Sequence, residues 1–101
     1  MNNFGNRIKE LREQKGLLQK HVANQLDIDT PMLSKIERGE RNAKKDHVLI
    51  LAKLLEVPVD ELLSLWLAGK VYNIVKDEKT AIQAMQVAGE EIKLKSKSKK
   101  K

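Results

Sequence analysis

Cysteine is absent from this 101-residue chain, which excludes disulfides and cysteine-ligated zinc. The absence fits a reducing compartment, and a cytoplasmic location is expected. Aromatic residues make up only 3% of the chain (Phe4, Trp66 and Tyr72) against 41% hydrophobic overall. One modest core must therefore be built from Leu, Ile, Val and Ala. No apolar run approaches the roughly 20 residues that a membrane helix needs. The first residues carry no charged segment followed by an apolar one, so no secretory signal is expected. No nucleophile–base pair, phosphate-binding glycine loop or metal-ligand spacing is present. The expectation is a non-enzyme with no cofactor and no small-molecule ligand. His21 and His47 lack a suitable second ligand one helical turn away and read as surface histidines. The adjacent Glu90 and Glu91 diverge on a helix and read as a solvated face.

What is present is charge, unevenly placed. The net charge is +6. Residues 1–45 carry a net +4, residues 46–94 a net −3, and residues 95–101 five lysines with no acid. A basic front half and a basic tail around an acidic middle suggest a polyanionic partner.

Every segment has helical periodicity, and none reads as strand. Phe4, Ile8 and Leu11 form the stripe of a first helix at about 3–15, which Asn2 or Asn3 can cap and Gly16 can end. Leu18, Val22, Ala23 and Leu26 mark a second helix at about 19–26. Asp29 is the natural N-cap of a third, with Pro31 tolerated in its first turn, Leu33 and Ile36 facing inward, Met32 at the edge and Gly39 as its stop. Asp46 can cap a fourth helix with Val48, Leu51, Ala52 and Leu55 on one face. Val57-Pro58 breaks it, and a fifth begins near Val59. A last helix is expected from about Asp77, burying Ala81, Ala84, Met85, Ala88 and Ile92. Residues 95–101 read as a disordered lysine-rich tail, able to add sequence-blind affinity for DNA.

A short helix, a tight turn and a second short helix match the DNA-binding helix-turn-helix in length. Thr30, Pro31, Ser34, Lys35 and Arg38 fall opposite Leu33 and Ile36 and are left free to meet a duplex. Gln19-Lys-His-Val-Ala-Asn-Gln-Leu26, then Leu33-Ser-Lys-Ile-Glu-Arg-Gly39, resembles the phage-repressor and Cro-type (XRE-like) family of regulators. The likeness runs from about Ile8 to Leu63 and takes in Val57-Pro-Val-Asp-Glu-Leu62 at the start of the fifth helix.

That resemblance implies an all-α, five-helix, lambda-repressor-like domain over residues 1–63 that binds double-stranded operator DNA, usually as a homodimer. It also implies roles, position by position. Gln19 would hold a phosphate from the start of the second helix. Thr30, Pro31, Ser34 and Lys35 would approach base edges. Arg38, Arg41, Asn42 and Lys44 would bind phosphate at the end of the third helix and in its loop. Arg12 and Glu37 would form a buried ion pair. Three positions depart from the family pattern. Asp27 replaces a frequent turn Gly, Leu18 replaces a capping Thr or Ser, and Pro31 replaces a polar base reader. Specificity should then lean on Thr30 and on Lys35, which suits guanine O6/N7.

The stretch from Leu62 to Val75 is apolar on more than one side and must be covered. Residues 64–94 are therefore expected to form a helical extension that dimerises. A sequence-specific transcription regulator, such as a restriction-modification controller, is the leading reading. An antitoxin that masks a toxin, or a helical adaptor that does not touch DNA, are the alternatives.

Overall fold

The computed structural model describes residues 3–99, and over them it is entirely helical. The helices are α1 (Asn3–Gln14), α2 (Gln19–Gln25), α3 (Thr30–Glu37), α4 (Lys45–Leu55), α5 (Val59–Val75) and α6 (Ala81–Lys99). The chain divides into two compact units, one ending at Lys70 and the other beginning at Val71. The division falls inside α5, seven residues beyond the 63/64 boundary anticipated from the sequence.

The core of the first unit is aliphatic. Ile8, Val22, Leu33, Val48, Leu51 and Leu62 are at most 1% exposed, and Leu11, Ala23, Leu26, Ile36, Ala43, Ala52 and Leu55 complete the cluster. Phe4 and Trp66 pack at its edge. The stripe expected for α2 needs one correction. Leu18 is 54% exposed, because it takes an extended conformation ahead of the helix. Leu17 is the residue that packs against the core.

The first four helices stop in the same way. After α1, α2, α3 and α4 the chain turns through a left-handed residue: Gly16 (φ 68°), Asp27 (φ 57°), Gly39 (φ 79°) and Glu56 (φ 59°). In each case the next N–H reaches back to a carbonyl five residues earlier: Leu17 to Arg12, Ile28 to Ala23, Glu40 to Lys35, and Val57 to Ala52. These paired reverse bonds satisfy carbonyls that a helix end leaves open. After α1, α2 and α4 the residue beyond the left-handed one is apolar and tucks against the core: Leu17, Ile28 and Val57. After α3 it is Glu40, which is exposed.

Helix starts are less uniform. Asp29 caps α3 by accepting the Met32 N–H at 2.8 Å, whereas Leu18 supplies no side-chain cap to α2. The expected Asp46 cap is displaced. The N-cap of α4 is Lys44, and Asp46 lies inside the first turn, where its charge still suits the helix end. Of the two residues proposed to cap α1, Asn3 is the first helical residue and Asn2 lies outside the described residues.

One buried ion pair ties three of these elements together. Arg12 in α1 donates through Nε to Glu37 Oε2 at 2.7 Å and through a terminal nitrogen to Oε1 at 3.1 Å. The other terminal nitrogen donates to the Leu17 carbonyl at 3.0 Å, in the turn between α1 and α2. The two residues are 9% and 4% exposed. Hydrogen bonding to Glu37 raises the Arg12 pKa further still, so the guanidinium remains charged.

The second unit departs further from expectation. The last helix starts at Ala81 rather than near Asp77, because residues 76–80 form turns closed by Glu78 N–H to Val75 and Ala81 N–H to Glu78. Its anticipated buried stripe lies open. Ala84, Met85, Ala88 and Ile92 are exposed, and only Ala81 is half-buried. The helix also continues to Lys99, where disorder was expected from residue 95. No proline follows Pro58, and lysine is a good helix former once a helix is under way. Residues 100–101 of that tail lie outside the described residues.

Arg12→Met should cost about 3–5 kcal/mol, since it leaves the Glu37 carboxylate buried without its main partner. The double variant Arg12→Met/Glu37→Met should recover most of that loss. Denaturant melts of the three proteins measure both. A double variant as unstable as the single one would contradict this account.

Candidate nucleic-acid interface

The amphipathic pattern of α3 decides which side chains it can offer. Leu33, Ile36 and Glu37 are buried, and Met32 is half-buried against the core. Thr30, Pro31, Lys35 and Arg38 are exposed, and Ser34 is half-buried. The Asp29 cap and Pro31 fix the start of the helix, and Gly39 allows its abrupt left-handed stop. The solvent face of α3 is thus a short row of hydroxyl, ammonium and guanidinium groups with Pro31 at its head. The loop that follows carries Arg41, Asn42 and Lys44, all exposed.

The structure joins the end of α3 to this loop in a shallow basic concavity of about 330 Å³. Arg41, Asn42, Lys44 and His47 line it together with Asp27 and the apolar Leu26, Ile28, Met32 and Ile36, so two full positive charges there face one carboxylate. His47 is half-buried there, and its Nδ1 accepts the Lys44 N–H at 3.4 Å. It thereby closes the start of α4.

Three of the residues singled out in the sequence, Gln19, Ser34 and Arg38, are already engaged. Gln19, at the start of α2, donates its amide N–H to Glu37 Oε1 at 3.0 Å. Its side chain therefore shares the buried carboxylate with Arg12. Arg38 is held on both sides. Its guanidinium donates to Ser34 Oγ at 2.5 Å and to both oxygens of Glu40, at 2.9 and 3.2 Å. Glu40 was not anticipated as part of the site, although an Arg-x-Glu spacing after a helix stop was a readable signal. Its carboxyl is held below the ordinary range, first by the hydrogen bond with Arg38 and then by the charges of Arg38 and Lys35. The pair therefore stays ionised at neutral pH and is lost only as pH falls through that lowered value.

A second unanticipated contact lies behind the loop. The Trp66 indole N–H, from α5, donates to the Ala43 carbonyl at 2.8 Å. Ala43 is itself 4% exposed, between Asn42 and Lys44. A half-buried tryptophan usually finds a partner for its N–H, but the sequence could not say which.

Comparison with known proteins places this geometry. The helix-turn-helix family model matches residues 8–62, a span running from α1 to the first turn of α5. The HTH-type transcriptional regulator ImmR of Bacillus subtilis is 40% identical over 60 residues, covering 59% of this chain and 47% of ImmR. This chain thus spans about half the length of that relative. Control protein C.MunI of a Mycoplasma species is 37% identical over 62 residues, covering 60% of this chain and 84% of C.MunI. Among solved structures, the restriction-modification controller protein C.AhdI of Aeromonas hydrophila superposes with a TM-score of 0.55 at 38% identity, over 60% of this chain and 88% of that one.

Glu40 competes with any outside anion for Arg38. Glu40→Gln should therefore tighten binding to duplex DNA of any sequence, by roughly two- to five-fold at low salt, as expected for releasing one exposed ion pair. Fluorescence anisotropy on an arbitrary duplex measures it, and unchanged or weaker binding would contradict the competition.

Proposed function

Because this chain belongs to the helix-turn-helix family, we propose that it is a sequence-specific DNA-binding transcription regulator whose α3 enters the major groove. One observation carries the reading. A helix of eight residues buries Leu33, Ile36 and Glu37 and presents Thr30, Pro31, Lys35 and Arg38 outward beside a basic loop. Lys35 is the base reader, with a guanine edge as its best partner, and Thr30 and Ser34 approach neighbouring bases. Arg38, Arg41, Asn42 and Lys44 hold phosphates, as contacts that position the protein on the duplex. Gln19 keeps Glu37 in place.

The regulator works as a homodimer on two half-sites about one DNA turn apart. Support comes from apolar side chains left open in the single chain: Val71, Tyr72, Ile74, Ile82, Met85 and Ile92, each at least 39% exposed. Several large apolar side chains exposed on successive helices suit an interaction site, and a second copy supplies a matching one by twofold symmetry. The likeness to the restriction-modification controller protein C.AhdI favours control of a restriction-modification system. The same open apolar surface favours, as a second reading, an antitoxin whose C-terminal helices cover a toxin. Co-expression with the neighbouring gene product separates the two: a stable hetero-complex supports the antitoxin, and its absence the controller.

Lys35→Ala should relax preference at one base position and cost about 1–3 kcal/mol on the best site, whereas Arg41→Ala should weaken all sequences alike and lower the salt slope by about one unit. Selection of bound fragments from random DNA, followed by titrations at several salt concentrations, tests both. Equal losses on selected and random duplexes for both variants would contradict the division of roles. Sedimentation at micromolar concentration should show a dimer without DNA, and a monomer there would remove the second copy from the proposal.

A further inference from the structure

We propose that Trp66 is a positioning residue for the loop between α3 and α4, setting where Asn42 and Lys44 can meet phosphate. The inference rests on the DNA-binding reading and adds to it a residue remote from the duplex.

The loop has no regular structure of its own over residues 42–44. What holds its middle is Ala43, whose side chain is 4% exposed within the core and whose carbonyl accepts the Trp66 N–H at 2.8 Å. In extended chain, successive side chains point to opposite sides. Burying Ala43 therefore turns its neighbours outward, and Asn42 and Lys44 are both exposed. Lys44 has the extended backbone this requires, with φ −81° and ψ 157°. The middle of the loop is thus pinned at Ala43 by one methyl group and one hydrogen bond, while the Lys44 N–H donates to His47 Nδ1 and its carbonyl accepts from Val48 at the start of α4.

Trp66 is itself constrained. Its ring packs at the edge of the core, and the Lys70 ammonium lies 4.5 Å from the ring centroid, one turn further along α5. A cation over the face of an indole is attracted by the ring quadrupole. The Ala43 carbonyl consequently has a donor of fixed direction. A loop held in this way meets a phosphate without first having to be ordered, which is how preorganisation raises affinity.

The test is Trp66→Phe, which keeps an aromatic ring and removes the donor. Without DNA, backbone amides at Asn42–Lys44 should exchange faster with solvent, while core amides of α1 and α3 stay protected. With DNA, affinity should fall roughly 3–10-fold, the ordinary worth of one hydrogen bond. The loss should be equal on selected and random duplexes, with base preference unchanged. A double-mutant cycle separates positioning from general softening. In a Lys44→Ala background, Trp66→Phe should cost clearly less than it does alone, because the contact it positions is already gone. Full additivity, or wild-type affinity in the single variant, would overturn the proposal. If the wild-type chain itself has no salt-dependent affinity for duplex DNA, the functional reading fails first and this inference with it. A wild type that binds beside an indistinguishable Trp66→Phe removes only the positioning role.

Discussion

The carboxylate of Glu37 governs how α1, α2 and α3 are arranged. It is 4% exposed, and both Arg12 and Gln19 donate to it. Those donors come from α1 and from the first residue of α2, while Glu37 is the last residue of α3. Arg12 also ties the turn between α1 and α2 through the Leu17 carbonyl. A buried ion pair adds little net stability over apolar residues of the same shape. Its effect is geometric, because any other docking of α3 would leave a charge in the core without its partners. This matters because α3 has eight residues, too few for a stable isolated helix in water. Its existence and its orientation both come from tertiary contacts.

The repeated helix stop gives that constraint a frame. After α1, α2 and α4, the chain leaves the left-handed residue and drives an apolar side chain back toward the core. After α3 the same backbone motif delivers Glu40 to the surface. The difference lies in one side chain, and it changes what the helix end does. The α3 end stays open to solvent, with Arg38 bridged between Ser34 and Glu40. The basic loop begins immediately after it, with Arg41, Asn42 and Lys44 exposed around the buried Ala43. Trp66 then fixes that loop from behind.

The units on either side of Val71 follow different physics. The first has a contiguous buried cluster. In the second, Ile74, Ile82 and Ile92 are at least 65% exposed. Ala84, Met85 and Ala88 of α6 have the spacing of a core stripe, yet the single chain leaves them uncovered. Periodicity reports that a face is apolar; it does not say which partner covers it.

The sequence by itself determined the helices and most of their ends, because these depend on neighbours along the chain. The 3.6-residue stripe of Ile8 and Leu11, the Asp29 cap, the stops at Gly16 and Gly39 and the break at Val57-Pro58 are all local signals. It also determined which side of α3 is apolar, and through Leu33-Ser-Lys-Ile-Glu-Arg-Gly39 it pointed to the family. Tertiary structure alone decided where polar groups separated along the chain would meet. That Gln19 turns to Glu37 and that the Trp66 N–H lands on Ala43 depends on docking and on competition for donors, which no spacing encodes. The same reasoning accounts for Leu18 and the misplaced cap of α4. Each was a sound local candidate, set aside when the backbone entered the helix at a different residue.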